Sequence, residues 1–303
     1  MGIAELVAQG RGRVEEHAAF GARTTYRVGG SVVALATLAT TRDLEELGPL
    51  IWGCGLPVEV LGNGSNLLVA DGEHEVVGVH LSGDFAALSW SDEDGGVVVV
   101  AGAALDLPVA ARRLASEGIV GFEWAVGVPG TFGGAAVMNA GGHGSDMAAC
   151  VVEVATWRAG APGRWTLDEL HYGYRTSALA PGELVTGVTM RLARGDAAEA
   201  KASLGEIVRW RRQHQPGGAN AGSVFSNPEG DAAGRLLEVA GCKGLRVGSA
   251  MVSEKHANFI LVDPGGSAND VYELLCLMRE RVLESSGVTL VSEHRLIGFG
   301  ARP

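Results

Sequence analysis

The stretch "ANAGSVFSNP" (219–228) places one hydroxyl, that of Ser223, directly after Gly222 in a run of small residues. Glycine lets the backbone approach a ligand closely, and a positioned side chain there can hand a proton to a reacting atom. Serine, asparagine, glycine and proline are also the residues that turns use. From this stretch alone, Ser223 is either a turn residue or a general acid.

A second stretch, "LGNGSNLLV" (61–69), has the composition of an anion-binding loop. Glycine and asparagine permit left-handed backbone, so several successive N–H groups can point at one phosphate. We expect Gly62, Asn63, Gly64, Ser65 and Asn66 to bind a cofactor in this way. The third glycine of a Rossmann fingerprint is missing and no helical run follows. A plain hairpin turn is the alternative.

The segment "WAVGVPGTFGGAAVMNAGGHG" (124–144) is richer still in glycine. Segments so poor in side chains gain little from packing, so a ligand lying against the backbone is the natural reason for them. Together, the two segments predict a bound dinucleotide. The cofactor-binding candidates in this segment are Gly127, Pro129, Gly130, Thr131, Gly133, Gly134, Asn139 and Gly141. His143 is a weaker candidate for a ligand or base, because it lacks clustered partners.

Strands and helices should position these residues. Strand-like runs occur at 31–40, 57–62, 75–81, 96–103, 151–157 and 183–192. Helices are predicted after Thr41, which can cap one ending at Gly53, and from Asp106 and Pro108 to Gly118. After residue 194 the hydrophobic pattern changes and predicts amphipathic helices at 196–214, 231–241 and 267–287, the last capped by Ser267. A strand is predicted at 258–263.

We therefore predict a domain boundary near 193–198. It gives an N-terminal domain of residues 1–194, in two lobes of roughly 1–75 and 76–194, and a C-terminal domain of residues 195–303.

Composition limits the kinds of partner. The 303 residues are 47% hydrophobic and carry a net charge of −11, which argues against a nucleic-acid surface. No stretch is apolar for the length of a membrane helix, and the N-terminus lacks the pattern of a signal peptide. The widely spaced Cys54, Cys150, Cys242 and Cys276 form no metal motif and indicate buried or half-buried thiols. We expect a cytoplasmic protein without a metal.

Several motifs together resemble the UDP-N-acetylenolpyruvoylglucosamine reductase (MurB) family over nearly the whole chain. They are "TTYRVGG" (24–30), the two glycine-rich segments, "YGYRTS" (172–177), "QPGGANAGSVFSNP" (215–228), "SEKHANF" (253–259) and "LVSEHRLIGF" (290–299). Motifs in the family's order are far more specific than any one of them. The spacing around "YGYR" and the "SEKHANF" form are similar to the family's shorter subtype.

The resemblance implies an α+β protein. It would combine a two-lobed FAD-binding domain of the vanillyl-alcohol-oxidase (PCMH-like) type with a C-terminal α/β substrate-binding domain. It further implies non-covalent FAD, NADPH as reductant, UDP-N-acetylglucosamine enolpyruvate as substrate and UDP-N-acetylmuramate as product. On this interpretation the glycine-rich segments hold the flavin and its diphosphate, and we expect a monomer.

The resemblance also implies three catalytic roles. Arg175 matches the arginine that binds and polarises the substrate carboxylate. Glu293 matches the glutamate placed on the same developing charge, where it helps only if protonated or if it acts through Arg175. Ser223 matches the general acid, which must be reprotonated through water. Taken singly, each of the three would more often be a turn or surface residue.

Tyr174 and Asn227 match positions that contact the UDP group in the family. Ser226 stands where many members carry lysine, so Lys255, Arg209, Arg211 or Arg212 would have to supply charge near the diphosphate. Two alternatives remain open. One is another FAD-dependent oxidoreductase of the same fold, acting on an alcohol or hydroxy acid. The other is a non-catalytic protein that binds FAD or a UDP-sugar; retention of the three catalytic residues disfavours both.

Overall fold

A computed structural model describes residues 2–158, 160–180 and 182–300. The helices are α1 (Ile3–Gln9), α2 (Thr41–Gly53), α3 (Leu107–Ser116), α4 (Phe132–Val137), α5 (Leu167–Leu170), α6 (Ala197–His214), α7 (Ala233–Val239) and α8 (Ala268–Ser286). The strands are β1 (Val14–Ala18), β2 (Ser31–Leu38), β3 (Val58–Leu61), β4 (Leu67–Val69), β5 (Glu73–Leu81), β6 (Leu88–Glu93), β7 (Gly96–Gly102), β8 (Ile119–Val120), β9 (Gly141–Gly142), β10 (Ser145–Asp146), β11 (Val151–Arg158), β12 (Ala161–Thr166), β13 (Leu184–Arg194), β14 (Arg246–Val247), β15 (Ala250–Val252), β16 (Ile260–Val262) and β17 (Arg295–Ile297).

The chain divides into two units, each made of separate segments. The first contains Met1–Glu16, Ala34–Gly62 and Val76–Arg211; the second contains His17–Val33, Asn63–Glu75 and Arg212–Pro303. Each unit has its own hydrophobic core, built around residues such as Val99 and Phe132 in the first and Phe225 and Leu274 in the second.

The main sheet of the first unit is antiparallel, with strand order β12-β11-β13-β7-β6. Alternation along β7 explains its orientation, because Val97, Val99 and Ala101 are fully buried while Val100 is exposed. Helix α3 buries Leu107 and Leu114 in the same core. The second glycine-rich segment lies in the chain between these parts: β6, β7 and α3 precede it, and β11, β12 and β13 follow it.

A four-stranded sheet has the order β1-β2-β5-β3, with β3 parallel to β5. Helix α2 lies in the chain between β2 and β3, as a crossover to a parallel arrangement requires. Its predicted cap was wrong by one residue. Thr40, still extended, is the N-cap: its hydroxyl accepts from the Asp43 N–H at 3.1 Å, and Asp43 accepts from the Thr40 N–H at 2.9 Å.

The second unit combines α7 and α8 with the antiparallel sheet β14-β15-β16. Helix α8 begins after Ser267, whose hydroxyl caps it as predicted, and ends at Gly287 in a left-handed conformation. Strand β17 pairs in parallel with β4, with Arg295 opposite Leu67. That pairing brings the residues just before β17 next to the first glycine-rich segment.

The strands and helices expected from the sequence are confirmed, with small changes at their ends. Sequence patterns missed the short elements, among them α1 and β4, because stretches of seven and three residues are too short to show a period. The domain boundary near 193–198 stays a prediction. Helix α6 begins there, and its Ala200 and Leu204 pack into the core of the first unit.

Two further expectations concern cysteines and membrane spans. Cys150 and Cys242 are buried and Cys54 and Cys276 half-buried, all as free thiols, which confirms their predicted state. Across the described ranges, no helix is both long and apolar enough to span a bilayer.

Candidate active site

Ser223 lies in a tight turn of the second unit. Gly222 has φ +77°, which favours glycine, and its N–H donates to the Asn220 side-chain oxygen at 3.0 Å. A Cβ built on Gly222 would meet no atom within 4 Å, so packing does not require a glycine there. The backbone conformation is therefore the reason for Gly222, and Ser223 follows it half-buried.

The residues after Ser223 are clamped on both sides. The buried Asn258 accepts from the Phe225 N–H at 2.9 Å and donates to the Phe225 carbonyl at 2.8 Å. On the other side, the Glu293 N–H donates to the Val224 carbonyl at 2.9 Å, and Phe225 forms a β-bridge with Ser292. Ser223 and Glu293 are thus carried by two paired segments of one unit.

We expect Asn258→Ala to destabilise the protein. The change leaves the N–H and carbonyl of buried Phe225 without their side-chain partners, at about 1–3 kcal/mol for each group. Urea unfolding of the wild type and the variant would measure the difference. Asn269→Ala, on an exposed position of α8, is the matched control and should change stability by less than about 0.5 kcal/mol. Equal effects of the two substitutions would show that the clamp adds no stability.

Asn66 holds Glu293 from the first glycine-rich segment. Its side-chain amide donates to the Glu293 carbonyl at 2.9 Å, and its own carbonyl accepts from the Arg295 N–H at 2.9 Å. Asn66 therefore holds the backbone on the C-terminal side of Glu293 with two hydrogen bonds. The side chain of Asn66, predicted to bind a cofactor, is directed at the protein backbone.

Glycines in this segment allow close approaches. Gly64 has φ +62°, and an added Cβ would lie 2.5 Å from the Thr24 Cα. A Cβ on Gly62 would lie 2.6 Å from the Thr131 hydroxyl oxygen. Contacts this short exclude any side chain. The contact between Gly62 and Thr131, both in the first unit, brings the ends of the two glycine-rich segments together.

The second glycine-rich segment turns sharply at Gly130, which has φ +128°. Its carbonyl accepts from the Leu107 N–H at 3.0 Å, and the Gly133 N–H donates to the Ala103 carbonyl at 2.9 Å. Helix α4 starts after Thr131. Gly133 also packs closely, since its Cβ would lie 3.2 Å from that of Ala103. Part of the glycine content therefore serves packing against the protein itself.

Arg175 is presented by a two-residue hairpin turn in the first unit. The backbone groups of Gly173 and Thr176 pair across the turn, with N···O distances of 3.1 and 3.3 Å, and Arg175 has φ +57°. Its guanidinium donates to the Gly141 carbonyl at 3.0 Å and the Asn139 carbonyl at 3.4 Å. A strained backbone and two backbone acceptors together fix a planar cation in one place.

Asn139 joins this turn to the second glycine-rich segment. It is buried with φ +40° and accepts from the Ala148 N–H at 2.9 Å. Its amide donates to the Gly173 carbonyl at 3.0 Å and to Asp146 at 3.3 Å. The cofactor contact predicted for Asn139 stays a prediction. Its side chain ties the Arg175 turn in place, and no sequence signal shows such a bond to a residue 34 positions away.

The predicted UDP-contacting residues are both exposed. Tyr174 is 58% exposed, and the Arg175 guanidinium carbon lies 5.3 Å from its ring centre. The Asn227 side-chain oxygen accepts from the Ala233 N–H at 3.0 Å at the start of α7. Of the basic residues considered near the diphosphate, Lys255 donates to the Arg212 carbonyl at 2.6 Å.

His143 sits at a hairpin tip with φ +53°, and Gly144 beside it has φ +86°. Its ring packs edge-on against Trp210, with centroids 5.2 Å apart. Burial, together with the charge of Arg211, lowers the pKa of His143. No cluster of three or more metal-ligating side chains occurs in the described part of the chain. His143 is therefore a turn residue packed against α6, and among the described residues it has no partners for a metal site.

The donor chemistry of the two glycine-rich segments fits a dinucleotide diphosphate. Residues 62–66 and 127–134 include the hydroxyls of Ser65 and Thr131, and none of their side chains is acidic. Such sets of small, uncharged donors suit phosphate oxygens. The residues that would hold FAD are consequently those of these segments.

Comparison with known proteins gives two family matches. The model of the UDP-N-acetylenolpyruvoylglucosamine reductase C-terminal domain matches residues 213–297, and that of an FAD binding domain matches residues 32–160. These matches support the predicted fold class, an FAD-binding domain followed by a C-terminal domain, in a chain of mixed helix and strand.

Curated relatives match over almost the whole chain. A UDP-N-acetylenolpyruvoylglucosamine reductase from Geobacter metallireducens is 39% identical over 97% of this chain and 97% of its own length. One from Myxococcus xanthus is 40% identical over 91% of this chain and 89% of its own. The crystal structure of the reductase from Thermus caldophilus superposes with a TM-score of 0.80 at 36% identity, covering 94% of this chain and 99% of that one.

Proposed function

The chain belongs to the UDP-N-acetylenolpyruvoylglucosamine reductase family, and from this membership we propose that Ser223, Arg175 and Glu293 carry out the reduction. The protein is an FAD-containing oxidoreductase of peptidoglycan synthesis that uses NADPH. Its substrate is UDP-N-acetylglucosamine enolpyruvate, and the product of the proposed reaction is UDP-N-acetylmuramate.

The two glycine-rich segments would hold FAD, which after reduction by NADPH would supply hydride chemistry at the terminal vinyl carbon of the substrate. As electron density moves onto the conjugated carboxylate, Arg175 stabilises the growing negative charge. A planar guanidinium can donate two parallel hydrogen bonds to a carboxylate, which a lysine ammonium cannot do. The carbonyls of Asn139 and Gly141 orient that guanidinium before substrate arrives.

Ser223 then donates its hydroxyl proton to the carbon next to the carboxylate. A serine hydroxyl is a very weak acid, so it protonates only a strongly basic, carbanion-like carbon. Water returns the proton to Ser223. Glu293 faces the same developing charge, and it contributes as a protonated acid or through Arg175.

One observation carries the assignment of Ser223 and Glu293. The backbone pairing of Val224 with Glu293 puts the two candidates on adjacent segments, although 70 positions separate them in sequence. The clamp by Asn258 and the Asn66 bonds to the backbone around Glu293 support the same assignment. Pre-organised groups of this kind are what stabilisation of a transient charge requires.

Further parts of the proposal concern organisation and binding. We propose that residues 1–194 form the FAD-binding domain and 195–303 the substrate-binding domain, and that the enzyme acts as a monomer in the cytoplasm. The free thiols fit a reducing compartment. In the first glycine-rich segment, backbone N–H groups would hold the diphosphate, while Asn66 serves Glu293. Tyr174 and Asn227 would contact the UDP group.

Visible absorption under anaerobic conditions tests this function. The protein should be yellow, bleach when NADPH is added, and recover its flavin bands on addition of UDP-N-acetylglucosamine enolpyruvate. UDP-N-acetylglucosamine, which lacks the double bond, is the control and should leave the flavin reduced. A yellow protein whose reduced flavin is reoxidised by neither sugar would indicate another flavoenzyme. A protein unable to take up FAD would contradict the cofactor assignment.

A further inference from the structure

Tyr26 and His294 form a buried pair inside the second unit. Their exposed fractions are 1% and 0%, and the phenol oxygen lies 2.9 Å from the His294 Nε2. The rings are tilted by 53° with centroids 5.6 Å apart. Burial of two polar side chains costs free energy unless they are hydrogen-bonded, so the contact between them is a specific one.

The pair lies against both segments that carry the proposed catalytic residues. His294 directly follows Glu293 in the chain. Tyr26 belongs to the same buried core cluster as Ala221, which stands two residues before Ser223. One tyrosine side chain therefore bonds the segment of Glu293 and shares the core beneath the turn of Ser223.

The position of this link matters because of Gly222. The backbone after Ser223 is clamped by Asn258 and by the Glu293 N–H. Before Ser223 stands a glycine with φ +77°, the residue type with the most conformational freedom. Burial of Ala221 in the core cluster that contains Tyr26 restrains the chain on this side of the glycine, so Ser223 is held at both flanks.

The pair holds its proton in a definite place. Burial raises the pKa of Tyr26, which keeps the phenol protonated. A buried O–H needs an acceptor, and the His294 Nε2 at 2.9 Å supplies one. If the phenol donates to Nε2, the ring proton of His294 lies on Nδ1. A pair joined in this way positions its neighbours and does not supply the reaction's proton.

We propose that Tyr26 and His294 are positioning residues that fix the spacing between the Ser223 hydroxyl and the Glu293 carboxyl. The inference rests on the proposed function of those two residues. It predicts that the pair matters for reoxidation of the reduced flavin by the enolpyruvyl sugar, which needs Ser223 and Glu293. Reduction of the flavin by NADPH needs neither residue and should not depend on the pair.

The test measures the two half-reactions separately by anaerobic stopped-flow absorbance. Tyr26→Phe removes only the hydroxyl, and His294→Leu removes the acceptor at similar volume. Both should slow reoxidation by about tenfold to a hundredfold, because small displacements of catalytic groups have effects of that size. Flavin reduction should stay within about twofold. His294→Gln keeps an acceptor near the Nε2 position and should restore most of the rate.

Two further measurements separate positioning from general destabilisation. Tyr272→Phe, at a half-buried tyrosine stacked on Phe299, is the matched control and should alter neither half-reaction. Two-bond ¹H–¹⁵N correlation of the His294 ring should show the Nδ1-protonated tautomer in wild type and a change in Tyr26→Phe. The imidazolium or the other tautomer in wild type would overturn the proposed proton arrangement.

Ser223→Ala and Glu293→Gln, assayed in parallel, distinguish the possible failures. Wild-type reoxidation in both of these variants would overturn the proposed function itself. Slow reoxidation in both, with wild-type rates in Tyr26→Phe and His294→Leu, would overturn the role of the pair alone. Equal slowing of both half-reactions in the pair variants would also overturn it, since that result describes a loss of structure.

Discussion

Ser223→Ala should slow reoxidation of the reduced flavin by UDP-N-acetylglucosamine enolpyruvate about 100- to 10,000-fold, the usual contribution of a general acid. Flavin reduction by NADPH should be unchanged, because it requires no proton from Ser223. The substrate should still bind, since the removed hydroxyl serves the transition state. Single-turnover rates over a range of substrate concentrations would show a fall in the limiting rate.

The control for this prediction is Ser286→Ala. The Ser286 hydroxyl donates to the Val282 carbonyl at 2.7 Å within α8, so its loss removes an exposed, hydrogen-bonded hydroxyl far along the chain from the turn. Both half-reactions should keep wild-type rates. If Ser223→Ala also keeps them, Ser223 is only a turn residue, as its local sequence alone would indicate.

The sequence revealed only part of the candidate site. Family motifs propose Ser223, Arg175 and Glu293 as catalytic, because catalysis needs particular residue types at particular places. Asn66 and Asn139 were also singled out, but as cofactor contacts. Next to glycine an asparagine suggests a turn, whereas its actual hydrogen-bond partner depends on tertiary contacts.

These partners lie far away in sequence. The Asn66 amide bonds a residue 227 positions away, and the Tyr26 hydroxyl one 268 positions away. Local periodicity predicts strands such as β7 and helices such as α8, since their burial repeats along the chain. It contains no information about which distant carbonyl an amide will reach. Individual strands and helices were therefore predictable, and the hydrogen-bond partners that hold the proposed catalytic residues were not.

Arg175 shows the same division in one residue. Binding of a carboxylate explains why this residue is an arginine, but no feature of the sequence predicts its φ of +57°. A non-glycine residue in this conformation costs about 1–2 kcal/mol. The paired backbone of Gly173 and Thr176, held by Asn139, maintains it. Strain kept at one side chain is typical of functional sites.

Arg175→Lys should therefore keep the charge and still lose about 100- to 1,000-fold in kcat/KM for the enolpyruvyl sugar, the range seen when one stabilising donor is removed. Lysine offers a point charge where two parallel donors are needed. Steady-state kinetics with saturating NADPH would measure the loss. Arg164→Lys, at an exposed arginine paired with Glu153 in the same unit, is the control and should behave as wild type.

Arg175→Gly separates chemistry from folding. Glycine relieves the strain of about 1–2 kcal/mol at positive φ, which offsets the loss of hydrogen bonds worth about 1 kcal/mol each. The melting temperature should therefore stay close to that of wild type while reduction of the sugar falls at least as far as in Arg175→Lys. A stable, flavin-loaded Arg175→Gly variant with wild-type turnover would remove Arg175 from the mechanism. An Arg175→Gly variant that loses stability and activity together would show instead that the guanidinium contacts to Asn139 and Gly141 hold the turn. The activity of Arg175→Lys would then decide whether a positive charge alone suffices for reduction of the sugar.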